Sequence, residues 1–252
     1  TMELLVLGLG FILLFVKLFS KKDAVLPYGW IATIGLAAIA IFSWFSRPDI
    51  AVTFGGMYYT DDYSFFFKEL ILVCAILVCL SSIAYVKKKG YREAEYYILL
   101  LFATLGMMVF TSAGDLITLY VGLELMTMSF IVLIGFARRN ALSTEAAIKY
   151  LVLSGLSSAI MLYGMSLIYG FMGTTMFLQM SQSISMFYNS AFMVFGLLLF
   201  LSGFAYKLSA VPFHMWAPDI YQGAPTPVAG FLAVGAKVAS LGLLCRLLYN
   251  FF

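Results

Sequence analysis

Four ionisable residues sit inside runs that are otherwise apolar: Glu124, Lys149, Lys207 and Lys237. A charge at the centre of a bilayer costs at least ~2.5–3.5 kcal/mol on insertion scales, so it persists where it faces protein or water. Groups of this kind commonly mark proton and ion pathways. Glu124 lies in the run Tyr120-Val121-Gly122-Leu123-Glu124-Leu125-Met126, near the middle of a long apolar stretch. At 1.5 Å rise per residue it is roughly 15 Å from either end of a spanning helix and cannot reach water along it. A protonated glutamate bonded inside a bundle is the plain reading. A titrating or charge-paired carboxylate is the functional one, and it is preferred. Lys237, in Gly235-Ala236-Lys237-Val238-Ala239, has small neighbours that let helices approach or leave room for water. A structural partnership with Glu124 is its plain alternative.

Lys207 precedes Pro212, which has no amide hydrogen and whose ring clashes with the carbonyl of Leu208, four residues back. A helix from 191 to about 220 would be roughly 45 Å long, too long for one straight crossing. A break near Lys207–Pro212 resolves both problems. Interrupted helix at membrane depth is tolerated only within protein or beside a water-filled cavity, and broken helices recur at transporter ion sites. The sequence therefore predicts a discontinuous seventh helix with a lysine at the break. Lys149 follows Glu145 at i+4, an ordinary helix ion pair, and lies several residues inside the membrane, so it is a weaker candidate. His214 is the only histidine. It could pass protons near neutral pH or simply anchor the helix end beside Trp216 and Tyr221, which read as interfacial aromatics. Asp115 suits the positive end of the fifth helix.

Three such groups at similar depth can form a relay. At an effective dielectric of about 20, a Glu–Lys contact at ~4 Å is worth about 4 kcal/mol. Making and breaking it can change a lysine's hold on its proton by ten- to about a thousandfold. The chemistry expected is proton exchange between Lys207 and Lys237 through water, modulated by Glu124, with Lys149 or His214 assisting near one membrane surface.

The elements that must position these groups are membrane helices. The chain is 63% hydrophobic and 11% charged, against roughly 45–50% and about 25% for soluble domains. Runs near 3–19, 28–46, 64–86, 94–112, 114–137, 143–171, 191–211 with an extension, and 226–250 each approach the ~20 residues of a span. The fold expected is an all-α polytopic bundle of about eight spans. The segment 47–63 is predicted as a small surface hairpin. Lys17, Lys21, Lys22, Lys87, Lys88, Lys89, Arg92, Arg138 and Arg139 fall in odd-numbered loops, and Arg47 alone in the even ones. That bias places the amino terminus outside the cytoplasm. The charges of the first loop follow the first apolar run and no cleavage site succeeds it, so that run reads as a helix and not a removable signal. Lys68 and Arg246, near helix ends, are expected to snorkel. The three cysteines lie in apolar runs and no Cys/His cluster exists, which argues against a metal or iron–sulfur site in this chain. A net charge of +3 with dispersed basic residues is no nucleic-acid signature.

The run from Lys207 to Val228, through Pro212-Phe213-His214-Met215-Trp216-Ala217-Pro218-Asp219 and Tyr221-Gln222-Gly223-Ala224-Pro225-Thr226-Pro227, closely resembles the signature of the antiporter-like subunits of respiratory complex I, and within them the subunit N family. Gly122-Leu123-Glu124-Leu125 and Ala146-Ala147-Ile148-Lys149-Tyr150 match the same family in the same order. The resemblance implies proton pumping within the membrane arm of the proton-pumping NADH–quinone oxidoreductase, in a bacterial plasma membrane. It implies no redox cofactor here, with NADH, FMN, iron–sulfur clusters and quinone handled by partner subunits. It maps the family's fifth-, sixth-, seventh- and eighth-helix charges onto Glu124, Lys149, Lys207 and Lys237. Family members have about fourteen helices with two inverted five-helix repeats. The resemblance therefore implies that this chain covers the N-terminal half, helices 1–3 over 1–93 and the first repeat, helices 4–8, over 94–252. The family's charged residue on the twelfth helix has no counterpart here. An ion-coupled sodium/proton antiporter and a non-catalytic membrane scaffold are the competing readings.

Overall fold

The computed structural model describes residues 2–20, 26–47, 50–187 and 190–251. Lys21 and Lys22, used above for orientation, lie outside them. Among the described residues, eight helices are long and apolar enough to cross a membrane. In chain order the elements are α1 (Met2–Phe19), α2 (Tyr28–Phe45), the strands β1 (Ala51–Thr53) and β2 (Tyr58–Thr60), α3 (Asp62–Lys89), α4 (Glu93–Thr111), α5 (Leu116–Ile134), α6 (Ala141–Met172), α7 (Phe177–Phe187), α8 (Ala191–Leu208), α9 (Ala217–Gly223) and α10 (Thr226–Phe251). The two strands pair antiparallel, Ala51 opposite Thr60. Their turn uses positive φ at Gly55 (65°) and Gly56 (105°), a region glycine enters without a Cβ clash.

Local chemistry sets the helix ends. At α3, the Asp61 side chain accepts from Ser64 N while the Ser64 hydroxyl meets Asp61 N, a reciprocal cap. The same helix stops at Gly90, φ 65°, after Lys87, Lys88 and Lys89, cations that complement the helix dipole. Asp115 caps α5 by accepting from Ile117 N and Thr118 N at 3.2 and 2.9 Å.

The core sits around α4, most of whose residues are buried, whereas α1 turns much of its apolar surface outward. Without water between apolar faces, membrane helices associate by close van der Waals fit, which favours small residues at contacts. Gly106 on α4 and Gly122 on α5 show this. A Cβ on Gly106 would come 2.5 Å from Met126 N, and one on Gly122 would come 2.6 Å from Phe110 N. Gly164 on α6 does the same against α8, with Phe200 N at 2.5 Å. Glu124 is two residues beyond the Gly122 contact, so its backbone is held firmly against α4.

The seventh span is interrupted. Helix α8 ends at Leu208, residues 209–216 form turns, and α9 resumes at Ala217. Pro212 lies inside the break, with a cis Val211–Pro212 peptide.

Three expectations need correction. Lys68 does not snorkel. It is 3% exposed and its Nζ meets Glu3 Oε1 of α1 at 2.8 Å, while donating to the Tyr58 hydroxyl at 3.2 Å. Burial and the Glu3 carboxylate push the Tyr58 phenol above its ordinary range. Arg246 does not snorkel either. It forms a two-pronged pair with Asp61 at 2.9 and 2.7 Å, flanked by the rings of Tyr59 and Tyr63. In both cases the partner is distant in sequence, so helix-end position alone misleads. Trp216 is no interfacial anchor: it is buried, and its indole donates to Tyr206 O at 3.0 Å.

Candidate functional site

The break in the seventh span leaves helix-end carbonyls that the membrane interior cannot hydrate. Part of the demand is met locally. Ser209 turns left-handed (φ 56°), and Ala210 N and Ser209 N bond back to Ala205 O and Tyr206 O at 2.8 and 3.0 Å, the pattern of a Schellman end. Trp216 satisfies Tyr206 O a second time. The Lys207 carbonyl is then taken by a side chain from another helix. Lys237 Nζ of α10 donates to Lys207 O at 2.6 Å and to Ser209 Oγ at 2.5 Å. It also lies 5.0 Å from the centre of the Trp216 ring. A cation at a helix C-terminus gains from both the dipole and the free carbonyls, so the break and Lys237 stabilise each other.

Lys207, on the last turn of α8, points the other way. It is 5% exposed, and its Nζ donates to Thr127 Oγ1 of α5 at 2.8 Å. Thr127 in turn donates to Leu123 O at 2.7 Å. Glu124 is three residues before Thr127 and so shares its helix face. One Glu124 carboxylate oxygen is buried without a hydrogen-bond partner. Among the described residues Glu124 makes no ion pair with either lysine, though it interacts electrostatically with Lys207. The Glu124–Lys237 partnership weighed from the sequence does not form: Lys237 is engaged at the break instead.

Lys149 sits at the end of the bundle opposite the hairpin. Its Nζ lies 2.6 Å from Asp219 Oδ2 on α9 and 2.7 Å from Glu145 Oε1. The group is well exposed, and a small cleft lined by Leu142, Glu145, Lys149, Asp219 and Gln222 opens there. A Cβ on Gly223 would meet Leu142 O at 2.5 Å, so α9 is pressed against α6 as well as ion-paired to it. His214 lies in the turns of the break, half-buried, with Nδ1 unpartnered. The structure thus brings Lys207, Lys237 and the break together, places Glu124 on the helix face that receives Lys207, and sets Lys149 apart at a surface. Among the described residues no group of three or more His, Cys, Asp or Glu side chains could hold a metal ion.

Sequence reasoning missed three participants. Thr127 carried a usable signal, its i+3 offset from Glu124. Asp219 is in the same motif as Lys207 but shows itself as Lys149's partner only once α9 folds back on α6. Ser209 gave no signal beyond its place beside Lys207.

The chain is thus a polytopic helical membrane bundle whose interrupted seventh span carries a buried lysine. Residues 113–252 match the transmembrane family described as NADH:quinone oxidoreductase/Mrp antiporter, and the chain belongs to that family. It is 46% identical to NADH-quinone oxidoreductase subunit N of Heliobacterium modesticaldum, over 98% of this chain and 52% of that relative. It is 45% identical to the subunit N of Moorella thermoacetica, over 99% and 52%. The chain spans about half the length of these curated relatives. Among solved structures it resembles a chain of respiratory complex I from Thermus thermophilus, with TM-score 0.81 and 28% identity, covering 98% of this chain and 53% of that one. It also resembles a chain of an archaeal membrane-bound sulfane sulfur reductase, with TM-score 0.84 and 26% identity, covering 99% and 53%.

Proposed function

We propose that this chain forms the N-terminal half of a proton-translocating subunit in the membrane arm of NADH–quinone oxidoreductase. The observation that carries the reading is the pair of lysines at the broken seventh helix, Lys207 on its last turn and directed at α5, and Lys237 of α10 bonded to the break itself. Protons enter near the Lys149–Asp219 cleft, which faces the cytoplasm in a chain whose amino terminus lies outside. They pass to Lys207 and Lys237 by way of water at the interrupted helix, where His214 Nδ1 is free to take part. Glu124 sets how strongly Lys207 holds its proton, because an approaching carboxylate favours the ammonium form and a receding one releases it. Residues 94–252 act as one five-helix repeat and 1–93 as the helices that brace it. No step in this chain needs a redox group. NADH, FMN, iron–sulfur clusters and quinone are handled by partner subunits, and the drive reaches this chain, in a bacterial plasma membrane, through the neighbouring membrane-arm subunits.

The family description also names Mrp antiporters, which supports a second reading as a sodium/proton antiporter with no redox partner. Native membrane vesicles separate the two. Under the leading reading, a quinone-site inhibitor abolishes NADH-driven acidification that depends on this chain. Acidification that persists under the inhibitor and follows an imposed sodium gradient would support the antiporter reading instead.

A further inference from the structure

Several buried hydroxyls of this bundle are self-contained. Thr33, Thr104, Ser129 and Ser240 each donate to the carbonyl four residues back on their own helix. Thr127 makes the same bond, to Leu123 O, but it also receives an ammonium from another helix, Lys207 Nζ at 2.8 Å. The two bonds fix each other. With its one proton committed to Leu123 O, the Thr127 oxygen can only accept, and its lone pair is held toward Lys207. Both residues are buried, at 1% and 5% exposure, so water does not readily replace either partner. One turn away on the same face stands Glu124, with a carboxylate oxygen buried and unpartnered. Side chains three apart on a helix are about 5–6 Å apart at their Cβ atoms, a distance a lysine head group covers by rotamer change alone. Lys207 therefore has two acceptors within reach on α5, and it occupies the neutral one.

We propose that Thr127 is a positioning residue of the relay: its hydroxyl holds Lys207 one helical turn away from Glu124 and so keeps the Glu124–Lys207 pair open. The role rests on the relay reading given above. Without the hydroxyl, Lys207 falls to Glu124, the pair stays closed, and the lysine turns over its proton slowly. Thr127→Val preserves shape and removes the acceptor. Thr127→Ser keeps the acceptor and loses a methyl group.

The test measures NADH-driven proton pumping and quinone reduction together in vesicles carrying the whole complex. Thr127→Val lowers pumping per quinone at least about tenfold, the scale of one lost bond to a charged group, and Thr127→Ser restores it to within a few-fold of the parent. The effect depends on Glu124, so in a Glu124→Gln background adding Thr127→Val costs no more than about twofold. Ser240→Ala, which removes a buried hydroxyl bonded only within its helix, serves as the packing control. If the valine variant fails to assemble, Thr127→Cys, close to serine in shape but a poor acceptor, takes its place against Thr127→Ser. Equal losses for Val and Ser, or a full tenfold loss from Val in the Glu124→Gln background, would reduce Thr127 to a packing residue. Lys207→Met separates the two levels of argument. If it leaves pumping intact the relay reading fails, and if it abolishes pumping while Thr127→Val does not, only the positioning role fails.

Discussion

Replacing Lys237 by methionine removes two charge-assisted hydrogen bonds at the break of the seventh span, to Lys207 O at 2.6 Å and Ser209 Oγ at 2.5 Å. Hydrogen bonds to a charged group contribute about 1.5–3 kcal/mol each, and Lys237 is half-buried, so partial hydration of the freed carbonyl reduces the combined loss to about 2–4 kcal/mol. At tenfold per ~1.4 kcal/mol, the closed form of the break becomes roughly thirty- to several-hundredfold less favoured. Amide hydrogen exchange in the assembled complex reads this directly: peptides covering 209–216 exchange faster by that factor, and pumping is lost. Lys237→Arg separates architecture from proton transfer. Arginine keeps a cation at the helix end but does not give up its proton in proteins, so exchange at 209–216 stays near the parent while pumping still fails. Full pumping by the arginine variant would refute the assignment of Lys237 as a proton carrier, and unchanged exchange in the methionine variant would refute its role in holding the break.

Three further outcomes follow from the geometry. Gly122→Ala puts a methyl group 2.6 Å from Phe110 N, and since backbone cannot yield as a side chain does, α4 and α5 must separate at a cost of about 1–3 kcal/mol, measurable as a lower melting temperature of the assembled complex. Asp219→Asn removes one of the two carboxylates on Lys149; the group is exposed, so stability changes by less than ~1 kcal/mol, while proton uptake at that surface slows, measured by the initial pumping rate. Burial alone would raise the Asp61 carboxyl, but its hydrogen bonds from Arg246 and Ser64 overcome this and hold it below the ordinary carboxylate range. Its contribution is therefore complete above the ordinary carboxylate value and is lost as pH falls through the lowered one. Acid melting curves of the parent and Asp61→Asn converge below about pH 4 if this holds, and stay parallel if it does not.

The membrane spans were legible because apolar length reports directly on the thickness of a bilayer. All eight spans follow from runs of that kind, and the interruption of the seventh follows from Pro212 and excessive length. The amphipathic helix α7 was not foreseen, since Phe177–Phe187 is too short and too polar to register as a span. Pairings between distant segments were illegible for a different reason. Glu3 with Lys68, Asp61 with Arg246 and Asp219 with Lys149 join residues whose proximity is decided by helix packing, about which local composition carries no information. The same holds at the centre. The types of residue at 124, 207 and 237 announced chemistry, but only the folded chain shows that Lys207 turns to Thr127 and Lys237 to the helix break.

The measurement that bears most directly on proton translocation through this chain is the number of protons moved per quinone reduced, in vesicles carrying the complex with Lys207→Met. The account predicts an assembled complex that still reduces quinone and moves fewer protons per quinone than the parent. An unchanged ratio at full assembly would contradict it.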